Sequence, residues 1–123
     1  EVLDYQSKGG IPLLEMSVGG TKIDAHLDSG NMIGAFVLPT AFAEKLTRVS
    51  EPVTVGRARS ASGEMEIKQV QVKEVVRLGR HEFAEPTITF PALSDIGNVG
   101  AKTLSQFAVT FDQKNERVRL KRP

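Results

Sequence analysis

The tripeptide Asp28-Ser29-Gly30 closes an alternating segment, Lys22–Leu27, and runs on into Asn31. A carboxylate delivered by a strand into a glycine-containing loop can take a proton from water when ionised, or give one when protonated. It cannot do both at once, so a single carboxylate cannot do paired acid–base work. The simpler reading is a β-turn, since Asp, Ser, Gly and Asn are all common turn residues. Asp24, His26 and Asp28 form a second pattern. Their spacing puts them on one face of an extended strand, and carboxylate and imidazole are both metal ligands, to which His81 could add another. The competing reading is a solvated strand face, because polar residues must alternate with Ile23, Ala25 and Leu27. A turn at Asp28 would also break that ladder. The chain has no cysteine, which removes disulfides, thiol catalysis and cysteine-type zinc sites together.

A mainly β chain must position these groups. At 123 residues it fits one domain, 1–123, large enough to fold on its own apolar core. Hydrophobic residues make up 40% and charged residues 25%, a globular balance. Lys+Arg at 16 against Asp+Glu at 15 leaves a formal charge of +1, which gives no reason to expect nucleic acid or a membrane surface as a partner. No apolar run approaches the ~20 residues of a membrane span. The start at Glu1, without Met or signal sequence, reads as a processed or trimmed end, and the lack of cysteine selects no compartment.

Period-two patterning with frequent turn signals predicts strands over most of the chain. Leu13–Val18 and Lys22–Leu27 flank Gly19-Gly20, a hairpin signal because glycine accepts the positive φ of tight turns. Ala35–Leu38 is a further short strand. Pro39–Leu46 reads as a short helix with proline in its first turn and Phe42 and Leu46 on one face. Val53–Arg59 and Met65–Val72 flank Ser60-Ala61-Ser62-Gly63, predicting a long glycine-tipped hairpin. Val75–Leu78 and Glu82–Phe90 flank Gly79-Arg80, with Pro86 marking an edge or bulge. Ala101–Gln106 is a candidate second helix, and Ala108–Phe111 and Arg117–Leu120 flank a turn at Asp112–Asn115. Phe42, Phe83, Phe90, Phe107 and Phe111 read as core. The basic–apolar alternation Arg117–Arg122 suits an edge strand guarded by charge, or else a strand meeting an acidic partner or a second copy.

The ordered set of these features resembles the retropepsin-like aspartic proteases, the retroviral proteases and their single-domain bacterial relatives. An apolar strand ends in Asp28-Ser29-Gly30, and a glycine-tipped hairpin follows the first helix. Then Val99-Gly100 precedes a short helix through Leu104 and Phe107, and a strand ending in Thr110-Phe111-Asp112. The likeness spans residues 11–121. It implies a closed acid-protease-type β-barrel with one or two short helices and a flap hairpin. It further implies a homodimer that places two copies of Asp28 together, a peptide or protein substrate, and chemistry without metal or cofactor. Two carboxylates about 3 Å apart keep one proton between them, so one member can activate water while the other protonates the carbonyl. By position, Ser29 takes the Ser/Thr place whose hydroxyl braces the two loops across the dimer, and Gly30 allows close approach of the backbone. Asn31 departs from the residue usual in viral members, and Asn98 stands at another departure. Ser62 and Gly63 fall at the flap tip, where backbone groups could pair with an extended peptide; a plain hairpin turn is the other reading. Gly100 serves close strand packing. Bacterial relatives are often exported to the periplasm or anchored to membranes, which makes an exported location the expectation of the resemblance. The rival readings are a non-catalytic dimeric peptide-binding module on the same fold, and a metal-binding β-protein using Asp24, His26 and Asp28.

Overall fold

The computed structural model describes residues 2–8, 11–30, 34–60, 63–92 and 95–122. In chain order the elements are β1 (Val2–Asp4), β2 (Gln6–Lys8), β3 (Ile11–Val18), β4 (Thr21–Leu27), β5 (Phe36–Val37), α1 (Thr40–Ala43), β6 (Val53–Ser60) and β7 (Gly63–Gln71). They continue with β8 (Val76–Leu78), β9 (His81–Phe83), β10 (Thr87–Phe90), β11 (Gly97–Val99), α2 (Ala101–Leu104), β12 (Ala108–Asp112) and β13 (Arg117–Lys121). The chain is mostly strand, as its alternation predicts.

The large sheet runs in the order β6-β7-β10-β5-β11-β4-β3-β8-β9, with β2 on the side of β3. Among the described residues no pairing joins its end strands β6 and β9. Gly19 (φ 58) and Gly20 (φ 85) make the β3–β4 turn, where positive φ at both central residues matches the strand twist. The arrangement that matters most is in the middle. β11 lies between β4, to which it is parallel, and β5, to which it is antiparallel. The chain therefore leaves β4 at Asp28, crosses the end of β11 and re-enters the sheet at β5.

Register then separates two lateral rows of side chains. Leu27, Val99, Phe36, Ile88 and Val70 are successive partners across β4, β11, β5, β10 and β7. All five are buried and belong to one hydrophobic core. The adjacent row is His26, Asn98, Val37, Thr89 and Gln69, again successive partners, on the opposite face. A bond from Gln69 Nε2 to Thr89 Oγ1 at 3.2 Å runs along this row. Full burial of each core side chain contributes roughly 1.5–3 kcal/mol, so the core row fixes which face the polar row must take.

The second sheet has the order β1-β13-β12. This corrects the edge-strand reading of the C-terminal segment. β13 is the central strand, and Val118 and Leu120 are completely buried while Arg117, Arg119 and Lys121 face solvent. Three further expectations change. The helix expected over Pro39–Leu46 is one turn, Thr40–Ala43, with Pro39 as its N-cap and no side-chain cap. The segment Glu82–Phe90 is two strands, broken where Glu85 takes φ 44 before Pro86. Phe111 is 41% exposed, whereas Phe107 is buried and Phe42, Phe83 and Phe90 pack at the core's margin. β1 and β2 were not readable, being too short to show alternation. They are pinned through Tyr5, which is buried and whose N–H donates to Glu116 O at 2.8 Å.

Candidate active site

Asp28 sits at the point where β4 ends, and the backbone there is clamped from both sides. Asp28 N–H donates to Val99 O at 2.9 Å. On the far side of the loop, Gly100 N–H and the Thr103 hydroxyl both donate to Ala35 O, at 2.9 and 3.0 Å. The loop from Asp28 to Ala35 thus spans two anchors on one continuous segment, residues 99–103. Thr103 is completely buried, so its hydroxyl spends its bond inside the fold.

The carboxylate is held as well. Gly30 N–H donates to Asp28 Oδ1 at 3.0 Å, and Asn98 Nδ2 donates to Asp28 Oδ2 at 3.2 Å. Alternation explains the second contact: Asp28 follows Leu27 of the core row, so its side chain returns to the face carrying His26 and Asn98. Asp28 is half-buried and Gly30 exposed. A Cβ on Gly30 would stand 3.3 Å from Asp28 Oδ1, a tight approach that would press the carboxylate to give by a few tenths of an ångström. A second glycine, Gly34, lies against Thr89, and a Cβ there would overlap the Thr89 hydroxyl. His26 Nε2 is buried beside this cluster with no hydrogen-bond partner among the described residues.

Ser29 is exposed and lies on the wall of a groove of about 810 Å³. Tyr5, Pro12, Leu27, Leu104, Val109 and Phe111 give this groove a largely apolar lining. The predicted glycine-tipped hairpin is present as β6–β7, with Ser60 paired to Gly63 and Gly63 at φ 121. One face of it pairs Ala58 with Met65 and Gly56 with Ile67, while the other is tied by Arg57–Glu64 and Arg57–Glu66 contacts at 3.3 and 3.9 Å. Asn31 and Ser62 lie outside the described residues. Among the described residues no three His, Cys, Asp or Glu side chains converge into a set that could hold a metal ion. Asp24 is exposed, His26 half-buried, and Asp28 is turned toward Asn98.

A family model described as aspartyl protease matches residues 14–103. The chain belongs to the aspartyl protease family. It is accordingly an aspartic-type peptidase, and the matched span includes Asp28-Ser29-Gly30, the β6–β7 hairpin and Asn98-Val99-Gly100. The fold is similar to that in the crystal structure of a retropepsin-like aspartic protease from Rickettsia conorii. The TM-score is 0.69 at 21% sequence identity, covering 98% of this chain and 91% of that one. No curated protein matches the chain. The feature of this aspartic protease that sequence reasoning underrated is Asn98. Its place is set by the structure: it is the one polar side chain of a three-residue strand, between Gly97 and Val99, both buried.

Proposed function

We propose that the protein is a homodimeric aspartic endopeptidase, residues 1–123 forming one domain, in which each protomer contributes Asp28. The observation that carries this reading is a single, doubly hydrogen-bonded carboxylate at a clamped loop, half-buried and, among the described residues, without a second carboxylate as a bonded partner. Such a group lacks a proton donor for its own acid–base cycle, and a second copy of the chain supplies one. Paired at about 3 Å, the two Asp28 carboxylates share one proton. The ionised member takes a proton from water as the water oxygen attacks the scissile carbonyl carbon. The protonated member gives its proton to the carbonyl oxygen. Collapse of the tetrahedral intermediate then breaks the C–N bond, with a proton passing to the leaving amine. The pair titrates as a unit.

Ser29 and Gly30 brace and admit this pair, while Asn31, Ser62 and Gly63 border an extended peptide, Gly63 from the hairpin acting as a flap. The apolar groove beside Ser29 is where the second protomer approaches, since a partner must arrive next to Asp28 to complete the dyad. Closure of the sheet into an acid-protease barrel belongs to the same reading.

Asp28→Asn is the deciding variant. It should lower peptide cleavage at least about 10³-fold, the scale of a lost acid–base group, with the dimer retained in sedimentation. A statine-type transition-state mimic should inhibit the unaltered protein. Undiminished cleavage by Asp28→Asn, or a protein that stays monomeric while it cleaves, would overturn the proposal.

A further inference from the structure

Asn98 reaches Asp28 from a rigid position. It is the middle residue of β11, paired with His26 on one side and Val37 on the other, and its neighbours Gly97 and Val99 are buried. Its amide donates to Asp28 Oδ2 at 3.2 Å while Gly30 N–H donates to Oδ1 at 3.0 Å. Each carboxylate oxygen therefore has its own donor, one from the loop and one from a strand, and together they fix the plane of the carboxyl group.

We propose that Asn98 is a positioning residue that holds the Asp28 carboxyl in both of its protonation states, an inference that rests on the protease reading above. In a pair sharing one proton, each Asp28 is ionised in part of the cycle and protonated in the rest. To the ionised form Asn98 donates through Nδ2, as observed. To the protonated form it goes on donating through Nδ2 to a lone pair of Oδ2, which leaves the carboxyl O–H aimed at the partner carboxylate or the scissile carbonyl. An aspartate at this position accepts but has no N–H to donate, and a leucine does neither. A hydrogen bond to the dyad that persists through the proton's transfer acts on turnover, not on peptide affinity.

The test compares the unaltered protein with Asn98→Leu, Asn98→Asp and Asn98→Gln on one cleaved peptide. kcat and KM are measured separately, at a temperature where melting curves show each variant folded. Asn98→Leu should lower kcat about 10- to 100-fold, the value of a hydrogen bond to a charged group, with KM within about twofold. Asn98→Asp, nearly the same size, should lose at least as much kcat. Asn98→Gln, which keeps the amide, should recover part of the Leu loss. If Asn98→Leu or Asn98→Asp turns over like the unaltered protein, or if KM rises in step with the fall in kcat, the role is overturned. Should Asn98→Leu not fold, Asn98→Asp decides alone. An unaltered protein that cleaves no peptide overturns the protease reading and this role with it. One that cleaves no faster than Asn98→Leu overturns this role only.

Discussion

Asp28 and Asp112 are bonded alike. Each carboxylate accepts one backbone N–H and one asparagine amide: Gly30 N and Asn98 Nδ2 at Asp28, Asn115 N and Asn115 Nδ2 at Asp112. The difference is where the donors come from. At Asp112 both belong to a residue three positions on, in the exposed turn between β12 and β13. At Asp28 the amide comes from 70 residues away, on a strand inserted between β4 and β5. The Asp112 turn is complete whenever its own residues take turn geometry. The Asp28 arrangement exists only when β11 is seated, so its geometry depends on the whole sheet. Turn chemistry by itself therefore marks nothing, and a remote donor on a buried strand is what separates a site from a cap.

The contrast can be broken most severely at the two aspartates. Asp28→Asn is expected to cost at least about 10³-fold in kcat/KM with the dimer intact, while Asp112→Asn should leave kcat within about twofold. Peptide cleavage assays on both variants check this, and a comparable loss at Asp112 would erase the distinction. The loop anchors come next in size. Gly34→Ala drives a methyl group into Thr89, which is 1% exposed and hydrogen-bonded to Gln69. A core that cannot yield should lose about 1–3 kcal/mol in a urea titration. An unchanged midpoint would mean that the Asp28 loop is as pliant as the Asp112 turn. Among the described residues the methyl group of Gly30→Ala meets the carboxylate, standing 3.3 Å from Asp28 Oδ1. It should lower kcat about tenfold, within the usual reach of a displaced catalytic group, and leave thermal melting nearly unchanged. A large loss of melting temperature with kcat preserved would reverse the assignment of Gly30 to the site.

Much of this was legible in sequence where local chemistry is strong. The β3–β4 hairpin follows from Gly19-Gly20, and the polar face of β4 from its alternation, because one-residue spacing decides which side is buried. Asp28-Ser29-Gly30 gained weight only through its order relative to the β6–β7 hairpin and Val99-Gly100. What local pattern does not encode is which strand inserts between which. The parallel contact of β4 with β11 joins residues far apart in the chain, and nothing in Gly97-Asn98-Val99 announces it. Asn98 therefore read as a departure from a family pattern, whereas its register opposite His26 makes it a donor to Asp28. The C-terminal strand failed for the same reason. Alternating charge was read as edge protection, yet β1 covers one side of β13 and β12 the other, and that depends on Tyr5 and Glu116 meeting across the fold.

The smallest expected effect sharpens the comparison from the other end. The side-chain amide of Asn115, then its backbone N–H, hold the Asp112 carboxyl below the ordinary aspartate value. A folded-state value below the unfolded one stabilises the fold at pH above the unfolded value, and that contribution is lost as pH falls through the lowered folded value. Asn115→Ala removes the larger cause and leaves the backbone bond. The Asp112 titration, followed by NMR of its side-chain carboxyl carbon, should move upward. Melting temperatures of the variant and the unaltered protein should converge at acidic pH and separate slightly toward neutral pH. The separation stays small because the group is fully exposed and water screens it. Peptide turnover should not change at any pH, since among the described residues the hydrogen-bond partners of Asp112 and of Asp28 are different residues. A variant whose turnover falls together with the Asp112 shift would show that the two turns are coupled through β12 and the groove beside Ser29, and the separation of cap from site would then be wrong.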